Sequence, residues 1–269
     1  MSIRFITILI LSIIGGAIKV VGGIFYGSKA LIVDAFTSIA NIIAAMLVIY
    51  YYNRARMPPD KDHMYGHHRL TIGGPIFTVV VYSTVFGIVF TDLLYNVGKE
   101  YVVSEYAPLM AFLGFIVYSI AILLSKGVDV SFKIYAKFTG GELIESIVTI
   151  LASLSGAFIS YLIDFTGAII LSLYIIYEIY VSVINMISVI SDETSRDILN
   201  EIENELKRVG LDIERIRVRR IIENIYHGDI IVRFPAQTSV ADAHIIVDEI
   251  EKALKDKYNI DITVHIEPK

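Results

Sequence analysis

Six stretches of near-continuous apolar residues fill the first two thirds of the chain, at Phe5–Tyr26, Ala30–Tyr52, Thr71–Val97, Ala107–Leu124, Gly140–Ile163 and Thr166–Ile190. A helix needs about 20 residues to cross ~30 Å of hydrocarbon. The pattern therefore predicts six membrane-spanning helices, with both termini on one side. Met1–Gly23 has the outline of a leader segment, but it lacks a small-residue cleavage motif and opens a series of similar stretches. It reads as the first span.

From Asp192 onward the periodicity changes. Asp192-Glu193-Thr194-Ser195 offers caps for an amphipathic helix through Leu206. Arg215–Ile222 and Asp229–Phe234 read as a strand pair, Val240–Tyr258 is apolar at helical spacing, and Ile260–Ile266 alternates again. The fold class expected is an α-helical membrane protein, 1–191, followed by a small α+β domain, 192–269, of order α-β-β-α-β and metallochaperone-like layout. Such a domain is small for a stable core, which favours a homodimer.

Composition sharpens the division. Mean hydropathy is +0.64, and charged residues make up 19%, against about 25% in soluble chains. Of the 51 charged residues, 29 lie in 192–269. Loops on the side of the termini carry Arg54, Arg56, Lys61, Arg69, Lys126, Lys133 and Lys137; the opposite loops carry Lys29 and Lys99. Positive residues stay inside, so termini and tail are expected in the cytoplasm, with the spans in the lipid bilayer of the cell membrane. No cysteine is present, which excludes disulfides, thiolate ligands and a thiol nucleophile. The net charge of −5 comes with no basic run, so no nucleic-acid partner is expected.

The spans hold a repeated polar stripe. Asp34, Thr37, Ser38 and Asn41 lie at i, i+3, i+4 and i+7 of the second span, on one helix face. A shift of 108 residues finds Glu142, Glu145, Ser146 and Thr149 at the same spacing in the fifth. Two such helices are expected to face each other, as at the repeat interfaces where transporters hold their substrates. A carboxylate at the bilayer centre costs roughly 2.5–3.5 kcal/mol on insertion scales. Asp34, Glu142 and Glu145 therefore suggest a cation site of oxygen ligands, while Ser, Thr and Asn also serve to bond helices together. Asp92 and Glu178 stand alone and read as helix-end or interhelix residues.

After the second span the chain runs Met57-Pro58-Pro59-Asp60-Lys61-Asp62-His63-Met64-Tyr65-Gly66-His67-His68-Arg69. Asp60, His63 and His67 form an Asp-x2-His-x3-His set whose two nitrogens and one oxygen suit Zn²⁺, Fe²⁺, Co²⁺ or Mn²⁺. His68 is expected to be exposed. This loop resembles the P-A-D-x-x-H-x-[YF]-G-H-x-[KR] signature of the cation diffusion facilitators, which export divalent metals in exchange for protons. Ser28-Lys29-Ala30-Leu31-Ile32-Val33-Asp34-Ala35 is similar to that family's S-x-A-L-x-A-D-A, and Ala243-His244 and Val264-His265-Ile266-Glu267-Pro268 are like its A-H and H-x-E-P segments.

The resemblance implies a non-enzymatic exporter of a divalent cation (Mn, Fe or Zn), coupled to protons, with a dimerising and regulatory tail. Many members hold the ion between H-x3-D or D-x3-D on the second span and H-x3-D on the fifth. Those positions here are Thr37 and Asn41, then Glu145 and Thr149, with Glu142 as the alternative register. An oxygen site without imidazole favours harder ions such as Mn²⁺ over Zn²⁺. It also leaves open a metal-sensing or scaffolding homologue that does not transport. In the tail, the family's ligand positions fall on His244, His265 and Glu267, with Glu214 where a histidine can occur. Arg233 stands where another ligand is expected, so one ion per tail, or none, is anticipated. His227 reads as a solvated turn residue. A membrane di-iron oxidase is rejected, because three of the six histidines lie in the tail.

Overall fold

The serine that opens the second span anchors the membrane half. The computed structural model describes residues 3–125, 130–191, 193–194, 196–208, 210–222 and 225–269. Ser28 caps α2 (Lys29–Ala55), its Oγ accepting the Leu31 N–H at 3.1 Å and donating to Asp164 Oδ1 at 2.6 Å. The other spans are α1 (Ile3–Tyr26), α3 (Gly73–Asn96), α4 (Tyr106–Ser125), α5 (Val130–Phe158) and α6 (Tyr161–Ile190). Among the described residues these six helices are long and apolar enough to cross a membrane.

The chain divides into two units, one of 1–57 and 70–184, the other of 58–69 and 185–269. In the first, α2 is the central helix and packs against α1, α3 and α5. Its buried positions include Ala30, Ala35, Ala40, Ala44 and Ala45, small side chains that let neighbouring backbones approach closely. Around them Tyr82, Val85, Val89 and Leu93 of α3, Ala152 of α5 and Ala168, Leu171 and Ile175 of α6 complete the core.

One boundary differs from the sequence reading. The break between the fifth and sixth spans falls at Ile159-Ser160, not at Asp164. Asp164 lies in the first turn of α6 and is fully buried. Its carboxylate accepts from Ser28 Oγ, from Lys29 N at 2.7 Å and from Tyr101 OH at 3.0 Å. The charge is thus a partner for the positive N-terminus of α2 rather than a loop residue. Asp92 pairs with Lys29 Nζ at 2.9 Å, an interhelix role. Lys126 lies outside the described residues, as do the side chains of Lys133 and Lys137.

In the second unit, α7 (Arg196–Arg208), β1 (Asp212–Ile222), β2 (Ile225–Phe234), α8 (Val240–Tyr258) and β3 (Ile260–Pro268) follow the order α-β-β-α-β. The sheet order is β1-β2-β3, antiparallel between the first two strands and parallel between the last two. Ile202 and Leu206 of α7 and Ala243, Val247, Ile250 and Leu254 of α8 cover Ile230, Val232, Ile260 and Ile262. Ser239 caps the start of α8, and Asn259 closes it in the left-handed conformation at φ 55°. Asp192 and Ser195 of the expected cap lie outside the described residues. Thr194 Oγ1 donates instead to Val218 O of β1 at 2.7 Å.

Both strands of the hairpin are longer than the alternation indicates, so two histidines are placed differently. His227 sits on β2 opposite Arg219, not in a turn, and burial pushes its imidazole below the ordinary histidine range. His68 is half-buried, not exposed, and its ring meets that of His227 edge-on at 6.0 Å.

Candidate functional site

The two polar stripes meet as their spacing predicts. Successive spans alternate in direction, so α2 and α5 run antiparallel and pack together. Asn41 Nδ2 donates to Glu142 Oε1 at 2.8 Å, joining residues 101 positions apart. Asp34, Thr37, Ser38, Asn41, Glu142, Glu145, Ser146 and Thr149 are all buried. Burial of both Glu142 and Glu145 puts both candidate registers of the fifth span on the inner face. Asp34 Oδ2, Glu142 Oε2, Glu145 Oε2 and Thr149 Oγ1 are buried without a hydrogen-bond partner among the described residues. Unpartnered buried oxygens of this kind are costly and suit a cation. Thr37 contributes less, because its hydroxyl donates back to its own helix at Asp34 O, 2.9 Å away.

Two other helices supply residues that the stripe did not reveal. From α3, Tyr82 OH donates to Asn41 Oδ1, which fixes the amide so that its nitrogen faces Glu142. From α1, the fully buried Lys19 places its ammonium among the stripe residues. Lys19 Nζ donates to Asp34 Oδ1 at 2.8 Å, Ser146 Oγ at 2.9 Å and Ser38 Oγ at 3.0 Å. It also stands 4.6 Å from the centre of the Tyr118 ring of α4. Lys19 is a lone cation deep inside an apolar span, and that isolation is the sequence signal that marks it.

The loop after α2 gathers its three predicted ligands. One ligand atom from each of Asp60, His63 and His67 lies within 4.8 Å of the others. Asp60 Oδ1 accepts the His63 N–H at 2.7 Å and the Asp62 N–H at 3.0 Å, which fixes the carboxylate. The His63 amide bond is the main reason that its carboxyl is held below the usual carboxylate range. His67 is buried, and its Nδ1 lies 3.2 Å from Pro58 O, as a donor there, leaving Nε2 to face Asp60 Oδ2 at 3.3 Å. A backbone carbonyl that sets the tautomer in this way is a usual support for a metal-binding imidazole. His63 is exposed and its ring lies 4.2 Å from that of His67.

The tail assembles only part of its predicted set. His265 Nε2 lies 3.0 Å from Glu267 Oε1, both on β3. His244 is on an exposed face of α8 and does not join them in a three-ligand cluster among the described residues. Arg233 stands opposite Glu267 in the sheet and pairs with Glu214 at 3.1 Å, so a cation already balances these acids.

Comparison with known proteins agrees with this layout. The model of the cation efflux transmembrane domain matches residues 5–191, and that of the cytoplasmic domain of cation efflux proteins matches 190–269. The manganese efflux system protein MneS of Bacillus subtilis is 26% identical over 282 residues, spanning 94% of this chain and 90% of its own. The uncharacterized transporter YdbO of the same organism is 25% identical over 275 residues, 95% of this chain and 91% of its own. Metal tolerance protein C1 of Arabidopsis thaliana is 32% identical over 71 residues, 26% of this chain and 15% of its own. With the two matches together running from residue 5 to residue 269, the chain belongs to the cation efflux, or cation diffusion facilitator, family.

Proposed function

We propose that this chain is a carrier, not an enzyme, that moves a divalent metal ion out of the cytoplasm in exchange for protons. The observation that carries the proposal is the buried oxygen cluster between α2 and α5, where Asp34, Glu142, Glu145 and Thr149 each keep an unpartnered oxygen. Asn41 would join the set only by sharing with the ion the amide oxygen that accepts from Tyr82 OH. Carboxylate, amide and hydroxyl donors favour harder ions, which supports Mn²⁺ ahead of Fe²⁺ and Zn²⁺. The similarity to MneS, a manganese efflux protein by name, points the same way. Departure of the ion leaves the carboxylates free to take protons, which couples the two fluxes. Access would alternate by rocking of helices around the fixed site.

In this reading the termini, the loop holding Asp60, His63 and His67, and the tail face the cytoplasm at the cell membrane. The loop and the tail, with His244, His265 and Glu267, serve metal-dependent regulation, and the tail pairs two copies into a homodimer. Flux of Mn²⁺, Fe²⁺, Zn²⁺ and Cd²⁺ into liposomes carrying the purified protein, under a pH gradient and with lumenal pH recorded, tests it. The expected result is Mn²⁺ or Fe²⁺ flux with counter-movement of protons, lost in Glu145→Gln. Flux that is unchanged in both Asp34→Asn and Glu145→Gln would remove the proposed site.

One observation favours a second reading, a metal-sensing homologue that does not transport. Among the described residues the loop triad is the metal-spaced cluster, whereas Asp34, Glu142 and Glu145 do not converge to that spacing. Metal binding at the loop with no flux of any ion would select it.

A further inference from the structure

A lysine inside a cation site is chemically unusual, because its charge repels the cargo and its hydrogens occupy the cargo's ligands. The Lys19 ammonium has three hydrogens, and each has an acceptor: Asp34 Oδ1, Ser38 Oγ and Ser146 Oγ, all within 3.0 Å. Two of these acceptors belong to α2 and one to α5, so the ammonium bridges the two helices that form the oxygen cluster. Only Asp34 Oδ2 is left unpartnered on that carboxylate.

The stem that carries the ammonium is given a path. It passes over Gly114 of α4, where a Cβ would lie 2.8 Å from Lys19 Cγ and 3.2 Å from its Cε. Farther on, the Tyr118 ring offers its face to the ammonium. A cation above an aromatic face is attracted by the ring quadrupole, a weaker and less directional hold than an ion pair. The lysine therefore has a tight position on Asp34 and an aromatic surface beside it.

Resting on the transporter reading above, the geometry points to Lys19 as a tethered competitor for the transported ion. It occupies the Asp34 end of the site. A divalent ion that takes both Asp34 oxygens must displace the ammonium, and the returning ammonium helps expel the ion. Lys19 thus limits how tightly the site holds its cargo and favours release.

The test is equilibrium Mn²⁺ binding to the full-length protein in detergent. Binding to the helix pocket is taken as the component lost in Glu142→Gln/Glu145→Gln, which leaves the loop and tail ligands intact. Lys19→Met and Lys19→Gln are each expected to tighten that component by about tenfold or more, about 1.4 kcal/mol per tenfold. Gly114→Ala keeps the lysine but presses on its stem; it should give a smaller gain in the same direction, and decides the matter if the Lys19 variants do not fold. A purely structural lysine gives weaker binding on removal, and that result, or unchanged affinity in the folded variants, overturns the proposal. If Glu142→Gln/Glu145→Gln removes no Mn²⁺ binding at all, the transporter reading itself fails. If that component is present and the Lys19 and Gly114 variants do not tighten it, the lysine proposal fails alone.

Discussion

Replacing Asp34 with asparagine should destabilise the helical unit by more than one ordinary hydrogen bond, because it strands a buried ammonium. Both side chains of the Lys19–Asp34 pair are fully buried, 2.8 Å apart. Removing one partner of such a pair costs about 3–5 kcal/mol, since the remaining charge keeps its desolvation penalty without its counter-charge. An asparagine at 34 still offers an acceptor, and Ser38 Oγ and Ser146 Oγ remain bonded to the ammonium. The lower end, about 3 kcal/mol, is therefore expected. At about 2–4 °C per kcal/mol for a unit of this size, the midpoint should fall by roughly 6–12 °C. The chain has neither tryptophan nor cysteine, so thermal unfolding is best followed by far-ultraviolet circular dichroism rather than by tryptophan emission or a thiol dye. Lys19→Met alone should also lower the midpoint, by leaving Asp34 Oδ1 without its cation. The double variant should be less unstable than the two singles combined, with a coupling of about 2 kcal/mol. Simple additivity would refute the pair as a unit.

Glu142→Gln and Glu145→Gln should each lower metal flux in liposomes by about tenfold or more, as expected when a charged ligand is lost from a buried site. His67→Ala should remove metal binding at the loop while leaving the Mn²⁺ component of the helix pocket in place; equal loss at both would show that they are not separate sites. Asp164→Ala withdraws a buried charged acceptor from Ser28, Lys29 N and Tyr101, and should cost about 4–5 kcal/mol, the low end of three charge-assisted bonds at about 1.5–3 kcal/mol each. A midpoint within a degree of the parent protein would contradict its role as the anchor of α2. In the tail, Glu205 is held below the usual carboxylate range chiefly by its bond to Lys257. A depressed carboxylate stabilises the fold above its unfolded value and loses that contribution as pH falls through its folded one. Glu205→Gln should therefore flatten the acid limb of tail protection in hydrogen exchange below about pH 4.5; an unchanged limb would show that the pair contributes nothing.

Much of the architecture was legible because its cause is one-dimensional. Spans follow from runs of apolar residues long enough for hydrocarbon, and α8 runs over Val240–Tyr258 as its periodicity predicts. Errors occur where a polar residue serves a tertiary purpose. Asp164 looks like punctuation in the sequence, yet it is buried against the start of α2, and Ile159-Ser160 makes the break instead. His227 looks like a turn residue because the hairpin pairing extends beyond the alternating stretch. In each case a partner distant in sequence decides the local structure.

The candidate site shows the same division more sharply. The 108-residue repeat identifies two faces, and faces of equal period on antiparallel helices must meet in reversed order. That reversal sets Asn41 beside Glu142, the pair that the structure joins at 2.8 Å. It equally sets the Asp34 level of one helix against the Thr149 level of the other. A matched stripe cannot reveal what a third helix inserts between the two. Lys19 comes from α1 and lies among residues with no repeat of their own, so nothing in the stripe announces it. Its presence changes the chemistry of the cluster, because one of its three acids, Asp34, already holds a tethered cation. If the cluster carries an ion as proposed, its specificity should follow what can outcompete an ammonium on Asp34, as well as the hardness of the oxygen ligands.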